Sequence, residues 1–483
     1  MIKKYSWTII FSLFLSLLIC CKPKYNNKTA KKPNIILINV DDLGWKDLGV
    51  MGSSYYETPN INALAKQGLT FTNAYAGAAN CAPSRACLIS GLNTPRHGVF
   101  TVSPSDRGHK KTRKLIPIQN TKHLNNSIYT LPEMLKSSGY LTANFGKWHV
   151  GANPNKQGID YNIGGSDRGN PGKDGYFSPY NIDFIKNGPN GEYLTDRLTN
   201  EAITFMQKAK DTSFFVYLPY YSVHTPLLGK RKLIEKYKNK KGDNKQNNAT
   251  YAAMIESMDE NVGKVLHALK AYNLEKNTLV IFTSDNGGIR QISNQDPLRA
   301  GKGSYYEGGI RVPLIIKWPK HITPNTVSHQ IVSQLDFYPT LQAITKPKKS
   351  NTLLDGIDLN PILHGETTKV RELYFHFPVY LQNYSKGNDG SRDPLFRTRP
   401  GSVIISGSWK LHHYYEDNAL ELYNLKDDLS EQHNLADLNP QKTKELYKKL
   451  DAWRLKTNAP TPTEKNPYYS SDFEKDKIIS FNK

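Results

Sequence analysis

The sequence predicts an α/β fold: a large mixed, mostly parallel sheet flanked by helices, with a smaller C-terminal subdomain of antiparallel strands and a helix. Three observations lead there. Short apolar, β-branched runs each end abruptly in a polar cluster, as in parallel strands buried on both faces with function at their carboxyl ends. Segments with apolar residues at helical spacing separate them. After about residue 370 the pattern changes to closely spaced strand-like segments. The 483 residues are ample for a sizeable core.

The chain opens on Lys3 and Lys4, an apolar run from Trp7 to Ile19, and then Cys20 and Cys21. That run is short for a bilayer span and reads as an export signal. Leu18-Ile19-Cys20-Cys21 resembles a bacterial lipobox with Cys21 as lipid acceptor; Cys20 as acceptor and cleavage by an ordinary signal peptidase are the alternatives. Residues 1–21 are then a lipoprotein-type signal and 22–32, rich in Lys and Asn, a flexible tether. This organisation implies a periplasmic or cell-surface protein attached to a membrane, or a secreted one.

The main domain is expected over 33–370. Asn34–Val40 reads as a strand leading into Asp41 and Asp42, and Thr58–Gln67 as a helix. Ser127–Ser138 is helical in spacing, and Leu141–Phe145 is a strand before Gly146-Lys147-Trp148-His149. Phe214–Leu218 precedes Val223-His224-Thr225-Pro226, and Leu279–Thr283 precedes Ser284-Asp285-Asn286-Gly287-Gly288. Between these last two, Ala249–Tyr272 places Met254, Ile255, Met258, Val262, Val265 and Leu269 on one helix face, a core stripe. The loops at 101–127, 151–191 and 385–401 should shape access to the strand ends. In the C-terminal subdomain (371–465) come strands at Val403–Ser406, Lys410–Tyr415 and Glu421–Asn424, and a helix from Pro440 to Trp453; 466–483 is a tail.

Lys plus Arg number 64 against 43 Asp plus Glu, a net charge of +21 that favours a polyanionic partner; a solvated basic surface is the plain alternative, and no nucleic-acid motif is present. Only Cys81 and Cys87 follow the signal, so no disulfide framework is expected, and a bridge between them fits poorly if they lie one and a half turns apart on a helix.

In open α/β sheets ligands bind beyond the carboxyl ends of the strands, so the polar clusters above can converge in one cleft. Asp41 and Asp42 would face opposite ways on a regular strand, but where the backbone turns both can reach a cation. With Asp285 and Asn286 they offer hard oxygen ligands of the kind calcium or magnesium takes. In Cys81-Ala82-Pro83-Ser84-Arg85, Pro83 suits the first turn of a helix whose free N–H groups would face an anion beside residue 81. By itself Cys81 reads as a small buried hydrophobe or a thiol nucleophile.

The run Cys81-Ala82-Pro83-Ser84-Arg85 with Leu88, Ser90 and Gly91 resembles the sulfatase signature C-x-P-S-R-x-x-L-x-[TS]-G. Further matches follow in family order: N-V-D-D-L-G-W at 39–45, T-P-N-I at 58–61, G-K-W-H at 146–149, H-T-P at 224–226, S-D-N-G at 284–287 and G-K-G-S-Y-Y-E-G-G-I-R-V-P at 301–313. Over roughly 33–465 the chain is similar to the formylglycine-dependent, arylsulfatase-like sulfatases of the alkaline-phosphatase superfamily, of the bacterial polysaccharide type. The resemblance implies an alkaline-phosphatase-like fold and one Ca2+ held by Asp41, Asp42, Asp285, Asn286 and the oxygen of modified Cys81. A maturation enzyme would convert Cys81 to formylglycine (3-oxoalanine), whose hydrate attacks sulfur. Arg85 would brace that hydrate and Lys147 and Lys302 grip the sulfate oxygens. His149 would deprotonate the hydrate to expel sulfate, and His224, aided by Lys302, would protonate the leaving alcohol. His97, His376 and Arg311 lie near matching segments and are candidate substrate contacts. The implied substrate is a sulfated polysaccharide or oligosaccharide, such as ulvan, a carrageenan or a glycosaminoglycan. The alternatives are a phosphomonoesterase or phosphodiesterase of the same superfamily, which would need a second metal, and a noncatalytic binder of sulfated glycans.

Overall fold

The apolar run Asn34–Val40 forms strand β1, buried along its whole length. It is central to an eight-stranded sheet completed by β2 (Leu69–Phe71), β3 (Leu141–Phe145), β4 (Tyr161–Ile163), β5 (Phe214–Pro219), β6 (Thr278–Ser284), β7 (Leu314–Lys317) and β8 (Thr326–Ser328), in the order β4-β3-β5-β1-β6-β7-β2-β8. These assignments come from a computed structural model that describes residues 32–173, 175–348, 353–384 and 389–481. The expected export signal and nearly all of the tether lie outside the described residues.

Strands β3, β5, β1 and β6 run parallel, with Ile38 opposite Leu218 and Phe282, while β7 is antiparallel to both β6 and β2. The four strands ahead of the polar clusters therefore end along one edge. Alternate residues of β1 enter two different cores: Ile36, Ile38 and Val40 on one face, Ile35 and Leu37 on the other. A strand covered on both faces has no polar side to show, hence the unbroken apolar run.

Helix α1 (Pro59–Lys66), α2 (Cys81–Ser90), α3 (Leu131–Ser137), α4 (Leu194–Lys208), α5 (Ala249–Ala271) and α6 (Phe337–Thr345) pack on these faces. On α5 the expected stripe from Met254 to Leu269 is buried in the first core. Helix α3 begins later than the spacing suggested. Thr130 accepts a hydrogen bond from the Glu133 N–H and its own N–H donates to Glu133, a capping box that fixes the start at Leu131.

Beyond residue 370, β9 (Glu372–Phe377), β10 (Gly401–Ser406), β11 (Trp409–Tyr414) and β12 (Leu420–Asn424) form an antiparallel sheet in that order. Helix α7 (Pro440–Thr457) buries Leu446, Leu450 and Trp453 against Ile404, Leu411 and Leu422. The segment expected as a tail carries a helix, Ser471–Phe481, docked by a Glu474–Arg399 ion pair of 2.7 Å. Pro33–Lys483 is one compact unit, so the second sheet is a layer of the same body rather than a detached domain. Cys81 and Cys87 are both buried and free.

Candidate active site

At the end of β1 the backbone of Asp42 turns into the left-handed region (φ 60°), which brings the Asp41 and Asp42 carboxylates to the same side. The end of β6 lies alongside, and the Asp42 N–H donates to Asp285 Oδ1 at 3.2 Å. The end of β3 is tied to that of β5 at Gly146 (φ 126°), where an added Cβ would sit 2.1 Å from the Pro219 carbonyl oxygen; the next N–H, that of Lys147, donates to the same oxygen. Glycines also bring in Lys302. A Cβ on Gly287 would lie 1.9 Å from Gly308 O, so the Lys302 hairpin sits against the end of β6, with Lys302 N donating to Gly288 O at 2.9 Å.

One connected cluster results. Lys147 Nζ lies 2.7 and 2.9 Å from the two Asp41 oxygens, and Arg85 Nε donates to Asp285 Oδ2 at 2.9 Å. Arg85 also donates to Lys147 O at 2.7 Å, locking α2 to the end of β3. Around Asp42 gather Lys302 Nζ (2.7 Å), Asn286 Nδ2 (2.9 Å), His224 Nε2 (3.6 Å) and Cys81 Sγ (3.8 Å). His149, with φ 65°, lines the overlying pocket of about 600 Å³ together with Cys81, His224 and Lys302. All of these residues are buried except His224, which is partly open to the pocket.

Three carboxylates and three cations share this interior, a neutral set. Burial pushes the Asp41 carboxyl well up, against the pull of Lys147. For Asp42 burial acts the same way, but Lys302, His224 and Lys147 together hold it low. Lys302 keeps its proton: burial opposes the charge, and Asp42 and its neighbours outweigh it. Both histidines are driven low, first by burial and then by lysine charge, so both imidazoles are neutral at pH 7.

A family model described as Sulfatase matches residues 33–346, and a second, N-sulphoglucosamine sulphohydrolase, C-terminal, matches 301–459. The chain belongs to the sulfatase family. It is 37% identical to a sulfatase of Formosa agariphila over 99% of both chains, and 32% identical to human N-acetylgalactosamine-6-sulfatase over 71% of this chain and 68% of that one. Among solved structures it is similar to Ps i-CgsB in complex with k-i-k-neocarrahexaose, at a TM-score of 0.72 and 31% identity, covering 93% of this chain and 97% of that one. The expected alkaline-phosphatase-like fold and sulfuric ester hydrolase class hold.

The sulfatase's donor set fits a hard divalent cation. Asn286 Oδ1 is buried with no hydrogen-bond partner, while its Nδ2 is fixed by Asp42 and by Gly287 O. An orphaned amide oxygen beside three buried carboxylates lacks a positive ligand. Adding +2 to the neutral set would leave a net positive charge to meet the anionic sulfate ester. Both candidate ligand clusters among the described residues, Asp42-Cys81-His224 and Asp41-Cys81-Asp285, share Cys81 and describe one centre.

His97, His376 and Arg311 are not among the pocket residues. His97 is buried with Nε2 3.4 Å from Cys87 Sγ and Nδ1 accepting from Val99 N–H. His376 Nε2 donates to Pro460 O, and Arg311 pairs with Glu307 at 3.2 Å. These three hold the fold together. All three expected loops do reach the pocket, and they bring Arg107, Asn170 and Arg397, with Tyr384 alongside, none of which the motifs marked. The signal for them was limited to polar loops beside strand ends.

Proposed function

We propose that this sulfatase hydrolyses sulfate esters of a sulfated polysaccharide or oligosaccharide, with Cys81 matured to formylglycine and Ca2+ held by Asp41, Asp42, Asp285 and Asn286. The observation that carries it is the placement of Cys81 beside the metal-type donor set, at the floor of a pocket lined, among the described residues, by cations and by no carboxylate. Relatives named for N-acetylgalactosamine sulfates and a neighbour holding a carrageenan hexaose support a carbohydrate substrate.

Matured and hydrated, residue 81 would supply a hydroxyl nucleophile to sulfur, and a cation held by Asp41, Asp42, Asp285 and Asn286 would offset negative charge there. Lys147 and Lys302 neutralise the sulfate oxygens that would otherwise repel a nucleophile. Arg85 holds Asp285 and the end of β3 in register, and its Nη2, 3.6 Å from Asp41 Oδ1, makes no hydrogen bond of its own. His149 is neutral, and its Nδ1 has no partner, so it can take a proton. The His224 Nδ1–H donates to Thr225 O at 2.6 Å, which leaves Nε2 as an acceptor facing Asp42. Lys302, still an ammonium, therefore carries the proton for the departing alkoxide, with His224 Nε2 in place to exchange it.

The deciding measurement is a mass spectrum of the Cys81 peptide from protein matured in its native host, paired with sulfate release from defined sulfated oligosaccharides. Aldehyde at residue 81 together with sulfate release is the expected result. An intact thiol in an active preparation would overturn the mechanism, and an aldehyde with no release from any sulfated glycan would overturn the substrate class. The same reading carries export through residues 1–21, lipid attachment at Cys21 and a formylglycine-generating partner in the host.

A further inference from the structure

Most arginines of this chain that enter the interior meet a carboxylate: Arg85, Arg290, Arg392 and Arg399 each do so within 3 Å. Two that share the catalytic pocket form no such pair among the described residues. Arg397 is 8% exposed, and its hydrogen-bond partners among the described residues are neutral: Gln382 O at 3.0 Å, Tyr384 Oη at 2.8 Å and Lys302 O at 3.2 Å. Its guanidinium stacks 4.1 Å over the Tyr384 ring. Asp389 is an acid that acts on Arg397 from a distance without forming an ion pair: its Oδ1 accepts from the Ser391 N–H, and its Oδ2 is buried with no hydrogen-bond partner. Arg107, from a second loop, donates among the described residues to Ser103 O at 3.2 Å. The acid next to it, Asp106, is already paired with Arg113.

A buried or half-buried guanidinium without a paired carboxylate is costly, and two that line one pocket cost more. Burial and the nearby Arg397 push the Arg107 guanidinium down. An anion between the two would remove the conflict, and planar arginine forks suit sulfate and carboxylate oxygens alike. The Arg397 bond to the Lys302 carbonyl fixes this pair beside the lysine that faces the reacting sulfate.

We propose that Arg107 and Arg397, backed by Tyr384, form a second anion subsite, so that the preferred substrate carries another sulfate or a uronate carboxylate next to the sulfate ester being cleaved. The subsite rests on the sulfated-carbohydrate reading above and narrows it to polyanionic sugars. It gives the pocket two anion positions: the floor, for the reacting group, and the rim, for a group that is bound and left intact.

The test compares kcat/KM of the matured enzyme on N-acetylgalactosamine 6-sulfate, on the 4,6-disulfate, and on the 6-sulfate linked to a uronic acid. Binding of the same three sugars to Cys81→Ser protein is measured in parallel by calorimetry. Wild type should favour at least one of the two doubly charged sugars by tenfold or more, and Arg107→Gln and Arg397→Gln should each reduce that ratio toward one. Which sugar is favoured separates a sulfate from a carboxylate as the natural second anion. Equal constants for all three, or a preference that survives both substitutions, would overturn the subsite. Arg107 lies on a surface loop, so its variant tests the proposal even if Arg397→Gln melts early. Preferential binding without any sulfate release would sustain the subsite while refuting the sulfatase reading for these sugars.

Discussion

Replacing Lys410 with Met should destabilise the protein in a strongly pH-dependent way. Lys410 on β11 is fully buried, with Nζ 3.0 Å from Glu307 Oε1 and 2.8 Å from Glu431 Oε1, both equally buried. Glu307 also accepts from Tyr75 Oη at 3.0 Å and pairs with Arg311, while Glu431 accepts the Glu307 N–H at 2.6 Å. Methionine keeps the volume and removes the charge, which leaves two buried carboxylates sharing one cation fewer. Breaking a buried pair in this way costs about 3–5 kcal/mol. For a body of this length, unfolding entropy of roughly 1 kcal/mol per degree converts that to a Tm lowered by about 3–5 °C. Burial, against Lys410, pushes Glu431 up to about 7 already in the wild type. A carboxyl raised in the folded state contributes stability below its ordinary value of 4.5 and loses it as pH rises through the folded value. Without Lys410 the rise is larger, so the deficit should be small at pH 5, where Glu431 holds a proton, and full at pH 8. Thermal melts of both proteins from pH 5 to 8 measure it; the difference cancels the titrations that Lys410 does not touch, and Glu307, which Lys410 holds low, rises in the same sense as Glu431. A deficit that is flat with pH, or larger at pH 5, would refute the reasoning. Because Glu307 opens the turn that follows Lys302, sulfate release should fall as well.

Asn286→Ala removes the orphaned oxygen from the cation site and should weaken Ca2+ binding by at least about tenfold; calorimetric titration of chelator-treated protein checks this, and a change under twofold would exclude Asn286 as a ligand. His97 and His376 are pushed by burial down to about 3. A base depressed in this way contributes stability above its ordinary 6.5 that is lost as pH falls toward 3, about 2 kcal/mol each at pH 5. His376→Asn should therefore flatten the fall in Tm between pH 7 and pH 5, even if it lowers Tm at pH 7; an unchanged slope would mean that His376 does not carry the effect.

What the sequence discloses about this site follows from where the chain is constrained twice. Asp41, Lys147, His224 and Asp285 were legible because each follows a strand buried on both faces, and such a strand ends sharply in composition. Glycines at 146 and 287 then fix how closely those ends approach, a requirement that residue type reveals directly. Strands of three residues, such as Leu69–Phe71 and Thr326–Ser328, have too few positions to show a period and become strands only through their neighbours in the sheet. His97 and His376 looked functional because they lie near motifs in sequence, but α2 runs away from Cys81 into the core, and the short helix that follows it, Thr94–His97, sets His97 against Cys87 instead of in the pocket. Arg107 and Arg397 present the opposite case. Each sits in a polar stretch where an arginine is unremarked, and only the fold shows that they line one pocket with no carboxylate paired to either among the described residues. A missing partner leaves no trace in one segment's composition. It emerges where two segments meet, which is why the reacting group of the substrate could be read from the chain, whereas the features that select one sulfated sugar over another required the structure.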